Sequence, residues 1–319
     1  MNEDTISQPN LHIIWDADGS PDSVIALLYF LQNPTISVDA ITVSCGQAHP
    51  DIFAVKLVRM LARLGRKDIP VAAGRAIPFM GNNAFPDPWR KLTDEFWGID
   101  LPEADEPVHT LPASDLIIDV LNKSSNPVTL FVSGTHTNLA EVLRLGSYII
   151  DKIASVHVMG GALYVPGNIK SDWPEFHNTV SEWNIWVDPI AASEVFNAGL
   201  DMHLTPLDAT NQVTWTSHDA DTWDAFGTPE GILAAEILRF FLEYSNPDGV
   251  YLWDLLAAAN TTNPDLCQHE WVHIRVVTDS GDEEGRTVVV SDQPENTSAF
   301  LIPQEDEIKQ LVAQTLGMS

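Results

Sequence analysis

LHIIWDADGSPDSVIALLYFLQ, residues 11–32, is the stretch that decides the fold. Its first part, Leu11–Asp16, is an almost continuous apolar run, which is typical of a strand buried on both faces of a sheet. Pro21–Gln32 has the composition of a helix, and a proline in the first turn of a helix leaves no hydrogen bond unmade. A strand that passes directly into a helix is the repeating unit of α/β proteins. The stretch therefore predicts a β-α unit with a polar turn at the carboxyl end of the strand.

The same alternation continues along the chain. Further strands are predicted at Ile36–Ser44, Ile69–Ala73, Val128–Ser133, Ser155–Met159 and Met202–Thr205, and helices at Asp51–Arg66, Asp115–Lys123, Asn138–Leu145 and Pro189–Ala198. Beyond them we expect helices at Ile232–Tyr244, Leu252–Ala259 and Glu305–Leu316, and a hairpin of Trp271–Val277 with Thr287–Val290. The pattern favours an α/β fold with a mainly parallel open sheet covered on both faces, followed by a C-terminal helical and hairpin region.

The chain shows no internal division. It has 319 residues without a Gly/Ser linker or a repeat, so we expect a single domain over residues 1–319, with residues 1–10 flexible. Two long loops stand out, Ile77–Pro112 and Tyr164–Ser181. Long loops in compact domains are often functional, and ligands of open α/β sheets bind beyond the carboxyl ends of the strands.

The charge balance excludes several classes of partner. Forty-five acidic residues against sixteen basic ones give a formal net charge of −29. This balance argues against binding to nucleic acid or to an anionic membrane, both of which require a basic surface. Hydrophobic residues make up 45% of the chain and charged residues 19%, which indicates a globular protein and not a disordered acidic one.

The ends of the chain and its cysteines indicate the compartment. The polar, acidic N-terminus lacks the features of a signal peptide, and no apolar run is long enough to span a membrane. Cys45 and Cys267 form neither a disulfide framework nor a zinc pattern. We expect a cytoplasmic protein.

Carboxylates are concentrated at the end of the first strand. Asp16, Asp18 and Asp22 fall within seven residues, where a parallel strand delivers side chains to the ligand-binding edge. Crowded carboxylates repel one another unless a cation or a shared proton holds them, and hard oxygen ligands suit calcium or magnesium. The structural alternative is that Asp22 only caps the helix. Three carboxylates at one strand end favour a site.

Polar residues also follow other predicted strands. Ser133–Ala140 (SGTHTNLA) and Met159–Ala162 (MGGA) follow two of them, and after the second come Asn168, Glu182 and Asn184. Amide and carboxylate side chains together provide the donors and acceptors that a polyhydroxyl ligand requires. Asp254 lies in an apolar run, where a carboxylate is costly unless it is paired or metal-bound. Turn formation and helix capping remain the structural alternatives for these residues.

Taken in order, these motifs resemble those of the inosine–uridine nucleoside hydrolases. The family's opening pattern D-x-D-x-x-x-D-D is matched by Asp16, Asp18 and Asp22. Its later motifs are matched by Gly134–Asn138, Met159–Gly161 with Gly167-Asn168, Glu182-x-Asn184 with Asp188-Pro189, Leu207–Gln212 and Asp254. The matches are collinear from Ile13 to about Ala259. The resemblance implies a Rossmann-like nucleoside hydrolase fold and hydrolysis of the N-glycosidic bond of ribonucleosides to ribose and free base.

The resemblance also implies roles for individual residues. Asp18 is expected to be the general base toward water, and Ca²⁺ is the expected cofactor. The implied metal ligands are Asp18, the carbonyl of Thr137, Asp254 and the residue at position 23. The implied ribose ligands are Asp22, Asn168, Glu182 and Asn184. The expected ligand is a small nucleoside, and family members are usually homodimers or homotetramers.

The chain departs from the family pattern at three places. Ser23 stands where the family has a metal-binding aspartate, so it would ligate calcium only through its hydroxyl or through water. Gly46-Gln47 stands where the family has Gly-Asn after the second strand, and we expect a looser substrate contact from Gln47. The segment Ile169–Ser181 is an insertion that we expect to cover the site.

Two tryptophans favour purine bases. Trp253 precedes the late aspartate, where uridine-accepting members carry histidine and purine-specific members carry tryptophan. Trp89 lies in the loop where the purine-specific members carry a second tryptophan. Two indoles can hold a purine by stacking. The alternative for both is a purely structural role, as a loop anchor or as part of a helix core.

Two other functions remain open on the sequence. One is a nucleoside- or ribose-binding protein whose catalysis is weakened or lost because Ser23 replaces a metal-binding aspartate. The other is a phosphohydrolase of the haloacid-dehalogenase type, which also opens D-x-D at a strand end. Its later acidic pair could only be sought in Gly281–Glu284, a predicted hairpin turn, and it leaves the other motifs unexplained.

Overall fold

The computed structural model describes residues 11–318 and contains a nine-stranded sheet as its centre. The prediction that residues 1–10 are flexible falls outside the described residues. The strands of the large sheet are β1 (Leu11–Ala17), β2 (Ile36–Val43), β3 (Val71–Ala73), β4 (Val128–Val132), β5 (Ile153–Met159), β6 (Met202–Thr205), β9 (Cys267–Val276), β10 (Thr287–Val290) and β11 (Thr297–Pro303). A separate two-stranded sheet pairs β7 (Thr214–Trp215) with β8 (Val250–Tyr251).

Helices cover the large sheet. They are α1 (Pro21–Gln32), α2 (Pro50–Arg63), α3 (Asp87–Asp94), α4 (Ala113–Lys123), α5 (Thr137–Leu145), α6 (Ile169–Asp172), α7 (Trp183–Val187), α8 (Pro189–Phe196), α9 (Leu207–Thr210), α10 (Ser217–Ala225), α11 (Pro229–Tyr244), α12 (Trp253–Thr262) and α13 (Glu305–Leu316). In the part of the chain that is described, no helix combines the length and apolar character needed to cross a bilayer.

The strand order is β10-β9-β11-β6-β5-β4-β1-β2-β3. The seven strands from β11 to β3 are parallel to one another, and β9, near one edge, pairs antiparallel with both β11 and β10. β1 lies between β2 and β4, which explains its continuous apolar sequence. Ile13 and Trp15 pack into the core on one face of the sheet and Ile14 into the core on the other. The predicted α/β fold class with a mainly parallel, doubly covered sheet is confirmed.

Helix α1 is apolar on all its faces because it is buried on all of them. Every residue from Pro21 to Leu31 is buried, and the helix packs against α11, α12 and α13 as well as the sheet. Ser20 caps its N-terminus, where the Ser20 Oγ accepts a hydrogen bond from the backbone N–H of Ser23 at 3.2 Å. This fixed turn holds the end of β1 and the start of α1 in one orientation.

The C-terminal region differs from the sequence prediction. The predicted hairpin forms, but its strand β9 also pairs with β11, which the sequence analysis did not identify. β11 in turn is parallel to β6, so the hairpin belongs to the main sheet. The predicted loop Ile77–Pro112 contains α3, a short helix in which only Thr93 is buried. Its sequence lacks the apolar periodicity on which helix prediction depends.

Candidate active site

A cavity of about 370 Å³ lies beyond the carboxyl ends of β1, β2, β4 and β5. It receives nine of the residues that the sequence analysis selected, which are Asp18, Asp22, Gln47, Trp89, Asn168, Glu182, Asn184, Trp253 and Asp254. Ser23 and Thr137 are not among its lining residues. The chain thus brings together side chains that are up to 236 positions apart, from Asp18 to Asp254.

Three aspartates form the floor of the cavity. The Asp18 carboxylate accepts hydrogen bonds from the backbone N–H groups of Ser20 and Gln47, both at 3.2 Å. The Ser20 hydroxyl donates to Asp254 Oδ2 at 3.2 Å, and the Asp254 N–H donates to Asp22 Oδ2 at 3.0 Å. Through these contacts the turn after β1 fixes all three carboxylates relative to the start of α12.

Small residues make room for Asp18. A methyl group added to Gly46 would lie 2.3 Å from Asp18 Cβ, and one added to Gly134 would lie 2.7 Å from the same atom. Both distances are far below van der Waals contact. The turns after β2 and β4 therefore approach the Asp18 side chain so closely that neither position accommodates a larger residue.

Burial and mutual repulsion dominate the electrostatics of the floor. Burial, followed by neighbouring carboxylates, raises the pKa of Asp18 to about 7 and that of Asp254 well above its ordinary value. Burial also raises the pKa of Asp22. No Lys, Arg or His within residues 11–318 lines the cavity. The negative charge of the floor is therefore not balanced by the protein.

The donor set of the floor suits a hard cation. Buried carboxylates without a protein counter-ion are the ligands that calcium prefers. Ser23 offers only a neutral hydroxyl, which shares a hydrogen bond of 3.0 Å with Ser133 Oγ. Over the described range 11–318, no three acidic, His or Cys side chains converge into a preformed metal cage. The residues fit calcium with one carboxylate fewer than the family pattern.

Thr137 and Asp16 lie behind the floor. The Thr137 hydroxyl donates to Asp188 Oδ2 at 2.7 Å. Asp16 Oδ1 accepts from Thr42 Oγ1 at 2.7 Å and from Asn138 Nδ2 at 2.8 Å. These side chains connect β1, β2 and α5 and support the site from outside the cavity.

A polar wall faces the floor. Both oxygens of Glu182 accept backbone hydrogen bonds, from Asn184 at 3.0 Å, Gly161 at 3.0 Å and Ile185 at 3.3 Å, so this carboxyl caps α7. Asn184 Nδ2 donates to the carbonyl of Met159 at 3.2 Å. Burial raises the pKa of Glu182 to about 7. Glu182 therefore both caps α7 and lines the cavity.

Two groups of aromatic side chains complete the walls. Trp89 packs edge-on against Trp183, with ring centroids 5.5 Å apart, and Phe85 stacks on Trp183 at 4.9 Å. On another side, Trp253 packs against Phe241 at 6.2 Å. The Trp253 Nε1–H donates to Asn211 Oδ1 at 2.9 Å, which fixes the indole plane.

Several cavity residues were not predicted from the sequence. Trp97, Phe240, Phe241 and Tyr244 line the cavity from α11 and from the segment after α3. In α11 the helical apolar spacing is equally typical of a core helix, so no local signal separates cavity residues from core residues. Trp97 has a left-handed backbone, with φ of 54°, which the sequence around it does not predict.

The insertion is folded onto the cavity. Asp172, at the end of α6, lines the rim together with Ser171. Its Oδ2 accepts a hydrogen bond from Trp183 Nε1 at 3.1 Å. Although the residue is exposed, the surrounding protein desolvates its carboxyl and raises its pKa to about 6. The insertion was expected to cover the site, but Asp172 was not among the predicted site residues.

Comparison with known proteins gives the family. The model of the family described as inosine-uridine preferring nucleoside hydrolase matches residues 13–312. Pyrimidine-specific ribonucleoside hydrolases RihA from Citrobacter koseri and from an Enterobacter species are each 34% identical to the chain over 287 residues, which cover 88% of both proteins compared.

Solved structures agree in fold. A purine-preferring ribonucleoside hydrolase from Gardnerella vaginalis superposes with a TM-score of 0.84 at 22% identity, covering 96% of this chain and 98% of that one. An inosine-uridine preferring nucleoside hydrolase from Bacillus anthracis superposes with a TM-score of 0.79 at 24% identity, covering 97% and 100%. The chain belongs to the inosine-uridine preferring nucleoside hydrolase family, and the prediction of an N-glycosyl hydrolase of the ribonucleoside hydrolase class is confirmed.

Proposed function

We propose that this nucleoside hydrolase cleaves the N-glycosidic bond of ribonucleosides to ribose and free base, with purine nucleosides preferred. The observation that carries the proposal is the cavity itself. Asp18, Asp22 and Asp254 form its floor, and amide and indole side chains form its walls. An uncharged, polyhydroxylated ligand with a flat aromatic base matches both surfaces.

In this proposal Asp18 is the general base. Its carboxylate accepts one proton of the water that attacks C1′ of the ribose, while the C1′–N bond breaks with its electron pair going to the base. The base then takes up a proton from solvent. Positive charge develops on the ribose in such a reaction, as in other glycoside hydrolysis. The buried carboxylates of Asp22 and Asp254 stabilise that charge in a site of low polarity.

Ribose is held by the floor and by the polar wall. Asp22 accepts hydrogen bonds from ring hydroxyls, and Asn168, Glu182 and Asn184 contact the sugar from the opposite side. Gln47 lines the cavity beside Asp18, to which its backbone N–H donates. These contacts orient C1′ toward Asp18, which is the positional part of the rate enhancement.

Calcium is the proposed cofactor. Asp18 and Asp254 would hold it through carboxylate oxygens, with the carbonyl of Thr137 and the hydroxyl of Ser23 as the remaining protein ligands. When bound, the ion orients the attacking water and lowers its pKa. A bound cation also offsets the repulsion between the floor carboxylates, which burial intensifies.

Stacking on tryptophan supports the purine preference. Trp253 and Trp89 both line the cavity, and neither carries a group that protonates a departing base. A purine offers more stacking surface than a pyrimidine. The relatives at 34% identity are named pyrimidine-specific, whereas the purine-preferring ribonucleoside hydrolase is similar in fold at 22% identity. The purine preference therefore rests on the two tryptophans alone.

The test is a ribose-release assay with inosine, adenosine, guanosine, uridine and cytidine, with calcium and after chelation. We expect turnover of the purine nucleosides to exceed that of the pyrimidine nucleosides, and chelation to abolish turnover of both. Asp18→Asn should lower kcat by at least ~10³-fold, since general-base catalysis and metal ligation are lost together.

Each other outcome has a definite meaning. Faster turnover of uridine and cytidine would overturn the purine preference and leave the hydrolase in place. Nucleoside binding by calorimetry without any ribose release would favour the binding protein. The cytoplasmic location and the homodimer or homotetramer implied by the family stay predictions.

A further inference from the structure

Asp188 is a buried carboxylate that lies outside the cavity and holds three segments of the chain together. Its Oδ1 accepts a hydrogen bond from the backbone N–H of Ala191 at 3.1 Å and so caps α8. Its Oδ2 accepts from the Thr137 hydroxyl at 2.7 Å and from the backbone N–H of Phe79 at 3.0 Å. Asp188 therefore joins the start of α8 to the start of α5 and to the loop that follows β3.

A row of buried side chains continues from Thr137 to the turn after β2. Thr137 Oγ1 lies 3.1 Å from Thr135 Oγ1 and 3.4 Å from Cys45 Sγ. The Thr135 hydroxyl donates to the carbonyl of Cys45 at 2.9 Å. All three side chains are buried. We call the side chains of Thr137, Thr135 and Cys45 the hydroxyl chain.

Asp188 fixes the direction of the hydrogen bonds in the hydroxyl chain. It accepts from each of its three partners, so the single hydroxyl proton of Thr137 is used on this carboxyl. The Thr135 proton is used on the carbonyl of Cys45, and the Cys45 thiol can donate to Thr137 Oγ1. Every proton then has its own acceptor, and a buried network satisfied in this way is rigid.

The Cys45 end of the hydroxyl chain is next to the backbone that contacts Asp18. The N–H of Gln47 donates to Asp18 Oδ2 at 3.2 Å. A methyl group added to Gly46 would lie 2.3 Å from Asp18 Cβ, so the backbone of this turn is packed directly against the Asp18 side chain. Movement of the Cys45 carbonyl would therefore displace Asp18 or break its hydrogen bond.

The next step rests on the proposed function, in which Asp18 takes a proton from the attacking water. We propose that Asp188 is a positioning residue, which holds Asp18 in its orientation toward C1′ through the hydroxyl chain. Asp188 itself does not line the cavity and acts only through these contacts. Because small displacements of a reacting group are costly to rate, loss of this support should lower the rate of the chemical step.

Asp188→Asn is the main variant. Asparagine has one acceptor oxygen in place of two, so its amide nitrogen must face either the Ala191 N–H or the two donors on the other side. Asp219→Asn is the matched control. Asp219 also accepts hydrogen bonds in the cap of a helix, α10, and does not line the cavity. Both variants lose one charge and weaken one cap.

The kinetic measurement is ribose release from inosine at saturating Ca²⁺. We expect Asp188→Asn to lower kcat about tenfold and to leave KM within about twofold, because the ribose ligands lie outside the hydroxyl chain. Asp219→Asn should leave both values unchanged. Thr135→Val, which breaks the hydroxyl chain at its middle, should lower kcat to a similar extent. Thr135→Ser keeps the hydroxyl and should lose much less.

Double variants separate positioning from a general loss of structure. Asp188→Asn combined with Thr135→Val should be no slower than the slower single variant, because both interrupt one chain of contacts. In the background of Asp18→Asn, Asp188→Asn should not lower the residual kcat further. A residue that merely maintains the fold would lower kcat by the same factor with or without the Asp18 carboxylate.

Amide hydrogen exchange of Gln47 provides a measurement that does not depend on turnover. If the hydroxyl chain holds this turn, we expect Asp188→Asn and Thr135→Val each to speed exchange of the Gln47 N–H at least about tenfold in the metal-free protein. Asp219→Asn should leave that exchange rate unchanged.

Four results would overturn the proposal. They are a kcat of Asp188→Asn equal to that of Asp219→Asn, additive losses in the double variant, a further loss in the Asp18→Asn background, and unchanged exchange of the Gln47 amide. If Asp188→Asn does not fold, Thr137→Val takes its place, since it removes the link to the hydroxyl chain and leaves the cap of α8. Failure of the underlying function is distinguishable, because the unaltered protein would then release no ribose, whereas the exchange comparison would still show whether Asp188 holds the turn.

Discussion

Ser23 occupies the position at which the resemblance to the family implies a metal-binding aspartate. Its side chain is buried, and its hydroxyl pairs with Ser133 Oγ at 3.0 Å. Burial of a neutral hydroxyl in such a pair costs little, whereas a carboxylate at the same position would need a cation. Compared with the implied aspartate, serine at position 23 carries one negative charge fewer.

Restoring that carboxylate should strengthen calcium binding. We expect Ser23→Asp to lower the Kd for Ca²⁺ at least tenfold, measured by calorimetry on chelator-treated protein. The metal-free variant should melt at a lower temperature than the unaltered protein, because a buried carboxylate without a counter-ion is destabilising. Calcium should reverse the difference.

The control for added charge is Ser217→Asp, at the exposed first turn of α10. It should leave the calcium affinity unchanged. If Ser23→Asp folds and binds calcium with the original affinity, position 23 lies outside the metal's ligand shell.

Trp253 is the residue expected to set the base preference. The Asn211 amide holds its indole, and Phe241 packs against it. We expect Trp253→His to lower the ratio of kcat/KM for inosine to that for uridine about fivefold, since loss of one stacking contact is worth about 1 kcal/mol. The measurement is ribose release from both nucleosides.

Trp271→His is the matched control for this change, since Trp271 is 52% exposed and does not line the cavity. It should leave the ratio unaltered. A ratio that is the same in Trp253→His and in the unaltered protein would exclude Trp253 from base recognition.

At the scale of elements, the site residues at the strand ends could be predicted from the sequence, whereas most residues of the cavity walls could not. Helix α1 and strand β6 have the predicted bounds, because apolar runs next to proline or polar turns mark such elements clearly. Asp18, Asp22 and Asp254 reach one cavity as the strand-end argument expects. That argument needs only local sequence and the general geometry of parallel sheets.

The unpredicted parts depend on contacts between distant segments. β11 is stabilised by pairing with β6 and β9, and its own short sequence carries little strand signal. The Leu207–Gln212 motif forms α9, where Asp208 accepts the backbone N–H groups of Leu163 and Tyr164 at 2.8 and 2.7 Å. The motif was recognisable, but its role in holding the turn after β5 was not.

Gly134, in the turn between β4 and α5, offers a test of whether close packing positions the general base Asp18. A methyl group at Gly134 would lie 2.7 Å from Asp18 Cβ and 2.8 Å from Asp18 N. We therefore expect Gly134→Ala to displace Asp18 and lower kcat at least 100-fold, with the melting temperature reduced but the fold retained, because small displacements of reacting groups are costly to rate.

Gly65→Ala is the control for loss of stability alone. Gly65 has φ of +72° and open space around it, so alanine there is strained by about 1 kcal/mol without contacting the site. It should lower the melting temperature and preserve kcat. Full activity in Gly134→Ala would mean that the turn adapts without moving Asp18.

At the scale of the whole molecule, the acidic residues behind the net charge of −29 form two groups. Most of the acids lie outside the cavity. A few lie in or behind it, where burial raises the pKa of Asp16, Asp18 and Glu182 to about 7. Both groups of acids lower the free energy of unfolding of the metal-free protein as pH rises.

The sign of this pH dependence of stability follows from proton binding. A buried carboxyl with a raised pKa holds its proton in the folded state and loses it in the unfolded state, over the interval between the two pKa values. Stability therefore falls as pH increases through that interval. For Glu182, whose pKa moves from 4.5 to about 7, the loss between pH 5.5 and pH 8 is on the order of 2 kcal/mol.

Glu182→Gln isolates this contribution from the general repulsion of surface charge. Glutamine keeps one oxygen for the cap of α7 and does not ionise, so the variant should be less stable than the unaltered protein at pH 5.5 and should lose less stability on going to pH 8. Urea unfolding in chelator at both pH values measures the two free energies. If both proteins lose the same amount, the Glu182 carboxyl is ionised throughout and its three backbone donors outweigh its burial. If neither loses stability, the buried carboxylates of the cavity are balanced within the folded chain without a cation, and the electrostatic reason for calcium at this site is removed.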